Sequence, residues 1–128
     1  MASTTTEQLQ PRRSKAALEA QLKLAKSTLE SIVRSPTVIT YAVGVTSSPL
    51  TRLAAYRQYD EITGYAFLAL DLCREDAWFL ESELEVFAKE GDGRGALFKK
   101  LVPRTKEAPR HIRSASASAP RHHVYVIW

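Results

Sequence analysis

Arg52, Glu81 and the tyrosines Tyr41, Tyr56 and Tyr125 are the residues of this chain whose types and spacing could do chemistry together. Arg52 stands eight residues after Gly44, and Tyr56 stands four after Arg52. An arginine in the first turn of a helix sits where the dipole favours anions, and its planar fork can hold two phosphate oxygens. Glu81 falls at the edge of an apolar helical stripe, one residue from Leu80 and three from Leu84. At 100° per residue, a carboxylate there can look along a sheet toward a cleft. One glutamate is a sparse ligand set that suits Mg²⁺, an ion that keeps most of its waters. Charge stabilisation on phosphate, a positioned nucleophile and a divalent metal are the requirements of phosphodiester hydrolysis. Taken singly, Arg52 reads more simply as an exposed helix arginine, and Glu81 as a solvated flank residue.

The elements that must position these residues follow from periodicity and punctuation. A helix is expected from Ser14, its N-cap, with Leu18, Leu22, Ala25, Leu29 and Ile32 stepping by four and three. Arg34-Ser35-Pro36 ends it, since the residue before proline avoids the α region. The run from Thr37 to Thr46 is rich in β-branched residues and reads as a strand, placed centrally. Ser48 and Pro49 then open a helix that carries Arg52 and Tyr56 and stops at Gly64. Tyr65 to Leu72 reads as a second strand. Glu75 and Asp76 open a further helix with a buried stripe of Ala77, Leu80, Leu84, Phe87 and Ala88, ended by Gly91-Asp92-Gly93. A short helix over 96–102, a low-complexity stretch over 114–120 and an apolar run over 123–128 complete the chain.

A chain of 128 residues makes one ordinary domain. Residues 1–13 are polar and aperiodic and are expected to be disordered. Residues 14–128 form the single domain, with a basic linker over 93–121 and a C-terminal strand over 122–128. No apolar run approaches the ~20 residues needed to span a bilayer, and the N-terminus lacks the apolar region of a secretory signal. Cys73 stands alone, which excludes an intramolecular disulfide and a cysteine-based zinc cluster. The expectation is a soluble intracellular protein, cytoplasmic or nuclear. His111, His122 and His123 are too few and wrongly spaced for a histidine metal site. The stripe of helix 14–34 could seed a weak dimer, but packing against the domain's own sheet is the expected fate.

The net charge of +4 hides an asymmetry. Residues 35–92 carry four Lys/Arg against ten acids, whereas residues 93–128 carry eight against Glu107 alone. A basic flank beside an acidic centre suits a protein that holds polyanion phosphates and gathers carboxylates at a metal. Lys99, Lys100, Arg104 and Arg110 are the residues expected to hold a DNA backbone. A solvated basic tail that binds nothing specific fits the composition equally well.

The joint spacing resembles the GIY-YIG nuclease family over about residues 37–88. In that family a strand ends in Tyr-(Ile/Val)-Gly, an arginine follows at glycine plus eight, and tyrosine or histidine follows at arginine plus four. Gly44, Arg52 and Tyr56 match that register, and Thr46-Ser47-Ser48-Pro49 looks like the family's Thr-x-Asn-Pro turn. Ala77, Glu81 and Leu84 match its Ala-x-x-x-Glu-x-x-Leu metal-binding helix. Ala42 stands in the tyrosine place of the strand, with Tyr41 one residue earlier. A one-residue slip turns Tyr41 to the opposite face unless a bulge re-aims it. No strand of the Gly-(Ile/Val)-Tyr type precedes residue 37; the comparable segment is His123-Val124-Tyr125-Val126. That strand is expected to take the missing place beside residues 38–45, a circular-permutation-like arrangement in which Tyr125 supplies the phenol. The resemblance implies a small α/β sandwich: a short central mixed or antiparallel sheet flanked by helices, with an extra N-terminal helix. It also implies an endonuclease that cuts DNA with Mg²⁺ or Mn²⁺, Glu81 holding the metal and Arg52, Tyr125, Tyr41 and Tyr56 shaping the reaction. The alternative is a catalytically inactive relative that binds nucleic acid or protein.

Overall fold

The computed structural model describes residues 10–48, 62–90, 95–101 and 120–128. Helix α1 spans Lys15–Val33, strand β1 Ala42–Thr46, strand β2 Tyr65–Leu72, helix α2 Arg74–Glu90, helix α3 Ala96–Lys100 and strand β3 His122–Ile127. The chain is a small α/β fold in which β3 lies between β1 and β2, antiparallel to both. No helix among the described residues is long and apolar enough to cross a membrane.

Local chemistry sets the helix ends. The Ser14 hydroxyl accepts from the Ala17 N–H at 3.1 Å, satisfying one orphan donor of α1. At the other end, the Lys100 ammonium donates to the carbonyls of Val33 (2.8 Å) and Ser35 (3.2 Å), where the helix dipole favours a cation. Cys73 is a buried small residue whose sulfur accepts from the Asp76 N–H at 3.4 Å at the start of α2.

One apolar cluster joins both long helices to one face of the sheet. It contains Leu18, Leu22, Ala25, Leu29 and Val33 of α1, Ala77, Leu80, Leu84 and Ala88 of α2, and Val43, Val45, Val124 and Val126 of the strands. Full burial of each leucine contributes about 1.5–3 kcal/mol. The α1 stripe is therefore spent inside its own chain. A second, smaller cluster of Ala42, Tyr125 and Ile127, with Ile62 and Phe67 against it, occupies the other face. The alternation of side chains along β1 and β3 separates the two.

Three features differ from the sequence expectation. The strand read over Thr37–Thr46 is regular only from Ala42, and it is not central: β3 is. Strand order depends on non-local pairing, and β3 is buried along all six of its residues. The free side of β1 is met by the end of α3, where Tyr41 N–H donates to the Lys100 carbonyl at 3.0 Å, which shields an otherwise open strand edge. The disorder expected over 1–13 does not hold for residues 10–13. Gln10 N–H donates to the Pro120 carbonyl at 3.0 Å, and Arg12 and Arg13 both bond to Asp76. The helix read from Ser48 to Gly64 falls largely outside the described residues, as does most of the basic linker.

Candidate active site

The outer face of the sheet, opposite the helices, is built by register. Antiparallel pairing sets Gly44 against Tyr125, Thr46 against His123 and Ala42 against Ile127. Residues directly opposite one another share a face, so Tyr125, His123 and Thr46 line up on the side away from α1 and α2. Tyr125 lies so close to β1 that a Cβ added at Gly44 would stand 2.5 Å from its hydroxyl oxygen and 2.6 Å from Cζ. Only glycine admits the phenol at this point. The glycine that closes the β1 motif is thus the floor on which the β3 tyrosine rests.

His123 is 7% exposed and its Nδ1 accepts from the Asp71 N–H at 3.0 Å. That bond places the proton of the neutral ring on Nε2. Burial lowers the pKa of His123 below the ordinary histidine value, as do His122 and Arg121, while Asp71 opposes the shift. The donor comes from an irregular stretch of β2, whose pairing with β3 shifts between Ala69 and Leu72, and Asp71 there has a φ of 55°. The Phe67 ring meets the imidazole edge-on at 6.1 Å between centroids. On β1, the Thr46 hydroxyl is buried and accepts from the Ser48 N–H at 3.0 Å, which turns the chain as it leaves the strand.

Tyr41 belongs to the other face. Its side chain is 1% exposed in the helix-side cluster, and its hydroxyl donates to the Leu97 carbonyl at 2.6 Å. Burial pushes its pKa up. No bulge re-aims it, so of the two phenols offered by the sequence Tyr125 shares the outer face and Tyr41 anchors α3.

Glu81 is half-buried on α2, next to the fully buried Leu80, with Glu85 one turn further on. Helix α2 packs over β1 and β3 on the face opposite Tyr125, so the structure does not bring Glu81 and Tyr125 to one face of the sheet. Among the described residues, no three His, Cys, Asp or Glu side chains gather closely enough to hold a metal by themselves. A single carboxylate is the sparse ligand set that suits a hard cation whose shell is completed by waters and substrate phosphate oxygens, as Mg²⁺ prefers. Asp76 is not a second ligand: it is fully buried and its two oxygens are occupied by Arg12 Nε at 2.7 Å and Arg13 N at 2.8 Å.

Of the residues expected to hold DNA, Lys99 is exposed on α3. The Lys100 ammonium donates to the carbonyls of Val33 and Ser35 at the end of α1. Arg52, Tyr56, Arg104 and Arg110 lie outside the described residues. In sequence His123 reads as unsuited to a metal site and as the first residue of the segment that carries Tyr125. Its spacing of two from Tyr125 on a strand is the signal that places it on the same face.

No protein-family model matches the chain, and neither a curated protein nor a solved structure matches it.

Proposed function

We propose that this chain is a divalent-metal-dependent endonuclease of the GIY-YIG type, hydrolysing phosphodiester bonds in DNA. The observation that carries the reading is the seat of Tyr125 on Gly44. A strand from the far end of the sequence pairs antiparallel with the glycine-ended strand, and sets Tyr125 opposite Gly44. In this reading Arg52 holds the scissile phosphate with its fork, and Tyr125 orients the attacking water and accepts its proton. A phenol with an ordinary pKa near 10 does this only where neighbouring positive charge lowers it. Arg52 is the chain's own source of that charge. Mg²⁺ or Mn²⁺ held by Glu81 would supply Lewis acidity at the leaving oxygen. Tyr56, one helical turn from Arg52, shapes the same site.

Tyr41 favours a second reading. With one phenol drawn into the core by Leu97, the chain has one tyrosine fewer for chemistry and could serve as an inactive nucleic-acid-binding or protein-interaction module. Cleavage of supercoiled, linear and branched DNA with Mg²⁺ or Mn²⁺, by the wild type and by Arg52→Ala and Glu81→Ala, separates the two. Metal-dependent cutting lost in both variants supports the enzyme. Salt-sensitive DNA binding without cutting by any form supports the module.

A further inference from the structure

The two long helices bury one stripe each and present a second stripe on their outward sides. On α2, Glu75, Phe79, Ser82, Val86 and Lys89 recur by four and three and are all exposed. Phe79 is 39% exposed and Val86 42%. On α1, Ala20, Leu24, Ser27 and Ser31 recur in the same way, and Leu24 is 61% exposed. Alternating steps of four and three keep one side of a helix turned toward a partner helix. The strap of residues 10–13 fixes how the two stripes stand. Arg13 N–H, beside the start of α1, bonds Asp76 at the start of α2 at 2.8 Å. Farther along both helices, the Lys26 ammonium stands 5.3 Å over the Phe87 ring. The helices therefore run side by side in the same direction, with Ala20 level with Ser82 and Leu24 level with Val86.

We infer that this helix layer seats a second copy of the chain, α1 of each copy lying against α2 of the other about a two-fold axis parallel to the helices. Charge selects both the occupant and the orientation. The outward part of α1 carries Lys15, Lys23 and Lys26 against Glu19, while Glu30 is held by Arg34 at 3.0 Å. That of α2 carries Glu75, Glu83, Glu85 and Glu90 against Lys89. A basic strip beside an acidic one complements itself when turned by half a revolution about that axis. Turned about an axis across the helices, the same layer would set α2 against α2 and oppose like charges. Shape agrees with this orientation, because residues level within one copy then meet across the interface. Phe79 faces Ala20 and Ala16 of the other copy, whose small side chains leave a hole for the ring. Val86 meets Leu24, and Lys23 comes opposite Glu83. Two helices of this length side by side offer a footprint of about 25 Å by 20 Å. That is the size of a weak, reversible interface, so the dimer is expected to dissociate at about micromolar concentration. The layer lies on the side of the sheet away from Tyr125. The inference therefore stands apart from the nuclease reading, and the outer faces of the two copies come to lie on opposite sides of the dimer.

The test is sedimentation equilibrium of the full chain across the micromolar range, where the mass is expected to climb from one chain toward two. Phe79→Ser should raise the dissociation constant about a hundredfold, since the dimer loses the ring twice. Lys23→Glu should raise it about tenfold, and adding Glu83→Lys should restore it. Ile39→Ser removes another exposed apolar residue, on the stretch between α1 and β1, and keeps the wild-type value. A thermal melt of each variant at low concentration reports its fold; where Phe79→Ser melts early, the charge pair carries the test. A wild type that remains a single chain throughout overturns the inference, as does a dimer that a well-folded Phe79→Ser leaves equally tight. Failure of Glu83→Lys to restore the Lys23→Glu dimer overturns the pairing of α1 with α2. Mass that grows past two chains without limit overturns the closed two-fold arrangement.

Discussion

Replacing Gly44 with alanine sets a methyl group 2.5 Å from the Tyr125 hydroxyl oxygen, 2.6 Å from Cζ and 3.0 Å from Cε1. The tyrosine is 2% exposed, so its ring cannot swing into solvent without leaving the small outer cluster of Ala42 and Ile127. Forcing extra volume into such a site costs about 1–3 kcal/mol. Against that, losing the glycine from the unfolded chain returns about 0.4–1 kcal/mol where the backbone tolerates a side chain. The φ of Gly44 lies outside the positive range, so this gain applies. The expected net loss is about 1–2 kcal/mol, seen as a lower urea midpoint at constant m. In a Tyr125→Leu background the obstacle is gone, and the same substitution should become neutral or slightly stabilising. The coupling between the two sites should be about 1.5–2.5 kcal/mol, within the range for residues in contact. Equal cost of Gly44→Ala in both backgrounds would refute the claim that the phenol rests on Gly44.

Three further outcomes follow from the same geometry. Burial alone would raise the Asp76 pKa, but the bonds from the Arg13 N–H and from Arg12 outweigh it and hold it below the usual carboxylate value. The folded state thus favours the ionised form: the contribution is full above about pH 4 and is lost as pH falls through the folded pKa. Asp76→Asn should cost about 2 kcal/mol at neutral pH, by removing charge-assisted bonds, and should flatten the acid limb of a stability–pH curve. His123, also held below its ordinary value, contributes fully above about pH 6.5 and loses that contribution as pH falls through the folded pKa. Urea midpoints should therefore fall from pH 7.5 to 5 in wild type, and fall less in His123→Phe. Lys100→Met should lower stability by about 1–2 kcal/mol by leaving the Val33 and Ser35 carbonyls at the end of α1 without its ammonium, measured by the same titration.

Much of this architecture was legible because it is local. Ser14 caps α1 where the stripe of Leu18, Leu22, Ala25 and Leu29 begins, and the stripe of Ala77, Leu80, Leu84 and Ala88 is the buried side of α2. The pairing of the C-terminal strand with β1 was legible for a different reason: one strand was missing upstream and one of the right type was spare. What escaped depends on contacts between residues far apart in sequence. Arg12 and Asp76 are 64 positions apart, and Lys100 and Val33 are 67 apart, so no periodicity announces either pair. Asp76 read as an acid favoured by a helix N-terminus, which it is, but that reading could not foresee a buried carboxylate holding a strap. Tyr41 shows the same limit in reverse. Alternation along the strand correctly turned it from the outer face, while its bond to Leu97 came from an element whose placement the sequence does not announce.

The most direct test of the site is single-turnover cleavage of supercoiled DNA with Mg²⁺ or Mn²⁺ by Tyr125→Phe and Tyr41→Phe beside wild type. The account predicts that Tyr125→Phe loses roughly 10²–10⁴-fold in rate, the usual share of a positioned proton acceptor. Tyr41→Phe should cut within a few-fold of wild type while losing about 1 kcal/mol of stability with its bond to Leu97. A wild type that cuts nothing, or a rate lost in Tyr41→Phe and kept in Tyr125→Phe, would contradict it.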